Sequence, residues 1–208
     1  MLKEEIIIRE ISCKSLFESG IFKQNQISKS LHVSIGLVNR IMRKLEMIGG
    51  LQENKRYFKV IDLNKILIYA SSIRNIQRDI IYETRVNLPV KEIENSLPDG
   101  TILGSYSAYK YFFNDAPSDY SEVWVYSNPD VLNEIKSRFP KNNLPPNLIV
   151  LKSDSELVGN VSKYSNGNNV ISLPQLYTDF WNIPTWYSKE YLIALERKIM
   201  EIQNGILE

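Results

Sequence analysis

The stretch VSIGLVNRIMRKLEMIGG, Val33 to Gly50, has the spacing of a single helix with two differently composed faces. At about 100° per residue, Leu37, Val38, Ile41, Leu45 and Ile48 fall within one apolar stripe, wide enough to face a core. Gly36, Asn39, Arg40 and Arg43 fall opposite, with Lys44 on the flank. A helix that only supports a core usually balances its outer face with Glu–Lys pairs. Here that face offers Asn and Arg, the side chains suited to base edges and phosphates, and a glycine that admits a close backbone approach. Ser34 is a fitting N-cap, and the pair Gly49–Gly50 is placed to end the helix.

The residues before this helix predict a short one from Gln24 to Leu31, with Ile27 and Leu31 pointing inward and the turn HVS behind it. Further upstream, EEIIIREISCKSLFESG carries Ile7, Ile8, Ile11, Leu16 and Phe17 near helical period, with Gly20 as the stop. Downstream, LQENKRYFKVIDL predicts a β-hairpin. Leu51 and Gln52 open it, Glu53 to Lys55 form a polar turn, and Tyr57 and Phe58 lie on the return strand. Helix, turn, capped helix, small-residue break and basic hairpin is the order of a winged helix-turn-helix, with Lys55 and Arg56 as the cationic wing.

Charge partition points the same way. From residue 23 to 59 the cations are Lys23, Lys29, Arg40, Arg43, Lys44, Lys55, Arg56 and Lys59, against Glu46 and Glu53, a net of +6. The whole chain is only +1, so the remainder carries −5. A basic module joined to an acidic body suits a polyanion-binding unit attached to something else. The 208 residues suffice for two domains, expected at 1–78 and 79–208. The lone Cys13 excludes an internal disulfide and a cysteine-based metal cluster, and reads as a small buried residue of the first helix. The lone His32 argues against histidine-based metal binding or catalysis. No apolar run is long enough for a membrane helix, and the acidic start lacks the basic region of a signal peptide, so a cytoplasmic location is expected.

The second half alternates strands and helices, which predicts an α/β unit and makes the chain α+β as a whole. DLNKILIYASSIRNIQRD continues as a helix capped by Asp62, and IIYETRV, EVWVYS and NLIVLKS are strands. Pro129 stands near the start of a helix, and Pro174 opens the first of two C-terminal helices that Pro184 separates. The segment ILGSYSAYKYFFNDAPSDYSEVWVY has the outline of a nucleotidyltransferase, with Gly104–Ser105 after a strand, then a helix, then a returning strand. Such enzymes need two carboxylates on one face of that strand to hold metal ions. Here Glu122 stands alone among Ser121, Val123 and Trp124, and Asp119 is three residues away, off its face. A degenerate, non-catalytic sheet is therefore expected, with no catalytic residues, metal or cofactor. A nucleotidyltransferase acting on RNA or protein is the alternative.

Two resemblances extend these readings. The stretch QISKSLHVSIGLVNRIMRKLEMIGGLQ resembles the winged-helix domains of bacterial and archaeal transcription regulators, with Ser28 in place of the usual small Ala and Lys23 where a capping Ser or Thr is normal. Gly104, Ser107 and Ala108, with Ser172, Pro174, Gln175, Tyr177 and Asp179 near the end, resemble the antitoxin and repressor half of abortive-infection E (type IV) toxin–antitoxin systems, Trp181 replacing a smaller apolar residue. That resemblance implies an autorepressor that binds double-stranded DNA, and a cognate toxin of nucleotidyltransferase type. The expected DNA contacts are Lys23, Lys29, Ser34, Gly36, Asn39, Arg40, Arg43, Lys44, Lys55, Arg56 and Lys59. One small winged helix binds specifically with difficulty, so a homodimer is expected, held through the Tyr- and Trp-rich second domain and the last helix. Gln175 and Asp179, four apart on one face, read as structural residues that bond backbone groups. The aromatic run Tyr106, Tyr109, Tyr111, Phe112 and Phe113 reads as core and dimer surface.

Overall fold

The computed structural model describes residues 2–158 and 169–205. Its elements in chain order begin with helix α1 (Lys3–Phe17), strand β1 (Ile21–Phe22), helices α2 (Gln24–Ser30) and α3 (Ile35–Met47), strands β2 (Leu51–Asn54) and β3 (Tyr57–Val60), and helix α4 (Leu63–Ile73). A 3-10 turn, Ile76–Asp79, leads into β4 (Ile80–Thr84), α5 (Val90–Asn95), β5 (Ile102–Leu103), α6 (Ser105–Phe113), β6 (Val123–Ser127), α7 (Pro129–Arg138) and β7 (Leu148–Lys152). Helices α8 (Leu173–Asn182) and α9 (Trp186–Gln203) close the described chain. The chain is α+β, with two sheets among the described residues. Among the described residues no helix is long and apolar enough to cross a membrane.

The first sheet has the order β1-β3-β2, all antiparallel. Strand β1 was not foreseen, since two residues are too short to show a period. The hairpin is also registered differently from the expectation. Asn54 pairs with Tyr57, so the turn is Lys55–Arg56 rather than Glu53–Lys55, and both cations sit at its tip. Helix α3 ends as its glycines foretell. Gly49 takes a positive φ of 73°, its N–H donates to the Glu46 carbonyl and that of Gly50 donates to Leu45, closing a Schellman motif. Gly50 must also lack a side chain, because a Cβ there would lie 2.6 Å from Ile66 of α4.

Ile7, Ile8 and Ile11 of α1, Ile27 and Leu31 of α2, Val38, Ile41, Met42 and Leu45 of α3, and Phe58 of β3 form one core. Leu37 and Ile48 are only partly buried, and Met42 replaces them at its centre. Phe17, expected inside, is exposed.

The second sheet is mixed, in the order β4-β7-β6-β5, with β6 and β7 parallel and the outer pairs antiparallel. Both faces are covered, and the two-residue period of a strand divides β6 and β7 between two cores. Val123, Val125, Leu148 and Val150 face α5 and α7, beside Ile93 and Ile135. Trp124, Tyr126, Ile149 and Leu151 face a larger core with Tyr106, Tyr109, Leu176, Phe180 and Tyr191 of α6, α8 and α9. Tyr106 and Tyr109 are fully buried, whereas Tyr111 is exposed.

The expected boundary after residue 78 falls at the 3-10 turn, but no flexible linker separates the halves. Leu16 of α1 and Leu63 and Leu67 of α4 belong to the second core, while Ile66 and Ala70 of α4 belong to the first. Helix α1 is clamped between the two, which explains why its middle, from Ile7 to Cys13, is buried on every side.

Candidate nucleic-acid interface

The turn between α2 and α3 is pinned by a residue that sequence patterns would mark as a flaw. Ser28 donates its hydroxyl to the Val33 carbonyl at 2.7 Å, while the Val33 N–H bonds the Ser28 carbonyl. Lys23 caps α2 without a side-chain acceptor. Instead Gln26 reaches back and accepts from the Lys23 N–H at 2.8 Å, which leaves the Lys23 ammonium at the surface. Ser34 caps α3 as expected, accepting from Leu37 N–H at 3.3 Å. His32 occupies the left-handed region with φ 50°, a conformation that glycine adopts without steric cost. His32→Gly is therefore expected to raise stability by roughly 1 kcal/mol, measured as a higher midpoint in urea. A lower midpoint would mean that the imidazole makes a contact worth more than the backbone strain.

On α3, Arg40 and Arg43 are exposed and Asn39 is half-buried beside them. The Arg43 Nε donates to Asn39 Oδ1 at 3.0 Å, so the two side chains present one joined polar edge. A Cβ built on Gly36 meets nothing within 4 Å, so packing does not require glycine there. Gly36→Ala should gain roughly 0.5 kcal/mol of helix stability while weakening any ligand that needs the bare backbone. A gain in both stability and DNA affinity would show that this position stands clear of the ligand.

Lys44 is placed differently from its neighbours. Its Nζ lies 2.9 Å from Glu4 of α1, and Tyr69 of α4 donates to the same carboxylate oxygen at 2.9 Å. Burial raises the Glu4 carboxyl, but Lys44 and Tyr69 outweigh it and hold the group below the ordinary range. Lys44 thus ties α3 to α1 and α4. Lys23, Lys29, Arg40, Lys55, Arg56 and Lys59 are exposed and form no ion pair among the described residues.

Three of the expected contacts converge, whereas Asn39, Arg40 and Arg43 lie outside the groove they share. An open groove of about 330 Å³ runs between the hairpin and the starts of α2 and α3. Lys23, Lys55 and Arg56 line it, with Glu53 as its acidic member. Ile35, Asn25 and Tyr57 also line it, and none of them was among the contacts expected from the sequence. Ile35 is 52% exposed, an apolar side chain at the first position of α3. Its adjacency to the Ser34 cap was the available signal. Lys59 lies outside this groove on the central strand β3, and Lys29 on the last turn of α2.

In the second half, Gly104–Ser105 does link β5 to α6, and β6 returns antiparallel to β5. Ser105 has a positive φ of 47° and is buried. Glu122 precedes β6 and accepts from Trp124 Nε1 at 3.0 Å, while Asp119 lies exposed on the preceding loop. Among the described residues no group of three His, Cys, Asp or Glu is placed to hold a metal ion.

Gln175 and Asp179 share a face of α8, but they bond side chains rather than backbone. Asp179 accepts from Arg74 Nε at 3.1 Å, Tyr126 Oη at 2.5 Å and Gln175 Nε2 at 2.9 Å. Arg74, from the end of α4, also donates to Asp79 and to Tyr126 Oη. Gln175 accepts from Arg9 of α1 at 3.1 Å, and Arg9 pairs with Asp154 at 2.8 Å. One buried polar cluster therefore locks α1, α4, β6 and α8 together. Burial pushes the Asp179 carboxyl up despite Arg74 beside it. Burial also raises Asp79, but there Arg74 prevails and the group stays below its ordinary value.

Comparison with protein-family profiles, with curated proteins and with solved structures finds no match to this chain.

Proposed function

We propose that residues 1–78 form a winged helix that binds double-stranded DNA, and that the protein is a sequence-specific transcriptional regulator. The observation that carries the reading is the convergence of the α2 start, the α3 start and the hairpin tip on one cationic groove. In this reading α3 is the recognition helix and enters the major groove. Asn39, Arg40 and Arg43 meet base edges, Arg43 being oriented by Asn39, and Ile35 meets a thymine methyl. The β2–β3 hairpin is the wing, which sets Lys55 and Arg56 on flanking phosphates, and Lys23 does the same from the α2 start. Lys44 serves the fold rather than the DNA.

The resemblance of Gly104, Ser107, Ala108 and the Ser172 to Asp179 segment to abortive-infection E antitoxins supports autorepression of the protein's own promoter. It also supports a cognate nucleotidyltransferase-type toxin as a second partner. The second half then acts as a body for partner contacts, and Glu122 is engaged there by Trp124 of β6.

Hydroxyl-radical footprinting of the DNA upstream of the coding sequence tests this. A homodimer should protect two half-sites about one helical turn, roughly 10 base pairs, apart. Uniform cleavage at protein concentrations that coat DNA non-specifically would remove the reading.

A further inference from the structure

We infer that the outer face of α9 is a seam that pairs with the same face of a second copy of this chain. The inference rests on the homodimeric reading above and gives it an address. Helix α9 runs for 18 residues, about 27 Å. Its inner side is anchored by the buried Tyr187, Tyr191, Leu195 and Ile199. On its outer side Trp186, Ile193 and Met200 are 71%, 42% and 60% exposed. These three are seven residues apart, one apolar position in each heptad, so they lie in line along the helix with a drift of only about 20° per step.

The charges beside the stripe identify the occupant. Lys189 and Glu196 flank it on one side, Glu190 and Arg197 on the other, each pair again seven apart. Lys189, Glu190 and Arg197 are exposed and form no ion pair among the described residues. Glu196 accepts from Tyr177 of α8 at 3.0 Å, which fixes its carboxylate beside the stripe. Each flank thus carries one charge of each sign. Laid against an identical helix, Glu190 meets Arg197 in an antiparallel pair and Lys189 in a parallel one. Opposite charges therefore meet in either direction, which makes the face complementary to itself.

The test is light scattering on the full-length chain without DNA. Wild-type protein should have twice the monomer mass at micromolar concentration, and Ile193→Asp should be a monomer with an unchanged far-ultraviolet circular dichroism spectrum. A wild-type monomer, or an Ile193→Asp dimer, overturns the seam. Charge variants test the flanks without touching the apolar stripe. The acidic pair Lys189→Glu/Arg197→Glu and the basic pair Glu190→Lys/Glu196→Lys should each be monomeric alone and should form a heterodimer when mixed. Variants that stay monomeric on mixing, with wild-type circular dichroism, contradict the assignment of partners. The DNA reading fails separately. A wild-type dimer that ignores its upstream DNA keeps the seam and removes the regulator, whereas a monomer that binds that DNA specifically removes the seam alone.

Discussion

Arg74→Ala should lower the unfolding free energy by about 3 to 5 kcal/mol. The guanidinium is 2% exposed, and its partners Asp79 and Asp179 are 6% and 1% exposed, so solvent screening offers little relief. Truncation leaves those carboxylates and the Tyr126 hydroxyl without their shared donor. The loss is then mostly the cost of stranded buried charge rather than the net worth of the pair. Removing Arg74 with its two aspartates separates the two: Arg74→Met/Asp79→Leu/Asp179→Leu should recover part of the loss, because it strands no aspartate charge and Glu5 keeps Arg78, although Tyr126 and Gln175 lose the Asp179 acceptor. Urea denaturation followed by tryptophan fluorescence provides the measurement, since Trp124 lies on the same sheet face as Tyr126. If Arg74→Ala cost less than about 1 kcal/mol, well under the range for a broken buried pair, the cluster would not be what locks the two halves together.

The second large effect concerns the surface. Arg40→Ala/Arg43→Ala should reduce specific DNA affinity by about 2 to 6 kcal/mol, at the usual 1 to 3 for each base-reading side chain, with the loss confined to the cognate site. Lys55→Ala/Arg56→Ala should behave differently. It should weaken binding to every sequence alike and lower the salt dependence by about one unit for each phosphate that is no longer neutralised. Fluorescence anisotropy titrations with cognate and unrelated duplexes compare the two variants. Equal losses on both duplexes for the α3 variant would assign Arg40 and Arg43 to phosphates rather than bases.

How much of this was legible in the sequence depends on the reach of each interaction. The α3 face was readable because Asn39, Arg40, Arg43 and the apolar stripe are arranged by one local period, and Ser34 and Gly49 are local signals too. Met42 was missed because α3 is covered by neighbours on more than one side, so its buried arc is wider than a single stripe. The hairpin turn slipped because Glu53, Asn54 and Lys55 are all polar, and only the pairing of Asn54 with Tyr57 fixes the register. Lys44 looked like its neighbours on the helical wheel, yet its partner Glu4 lies 40 residues earlier. The buried cluster was beyond local reading altogether. Arg74 and Asp179 are 105 residues apart, and Tyr126 reaches them from the sheet. Sequence did show that Gln175 and Asp179 share a helix face, but not what that face meets.

Whether α3 reads DNA is decided by a gel-shift titration on the protein's own upstream DNA against unrelated DNA of equal length, at several salt concentrations. A distinct complex is expected on the upstream fragment alone at moderate salt. Its affinity should fall linearly with the logarithm of salt concentration, and Arg40→Ala/Arg43→Ala should abolish it. Equal weak binding to both fragments, unchanged by those substitutions, would leave α3 as a helix that only fills a core.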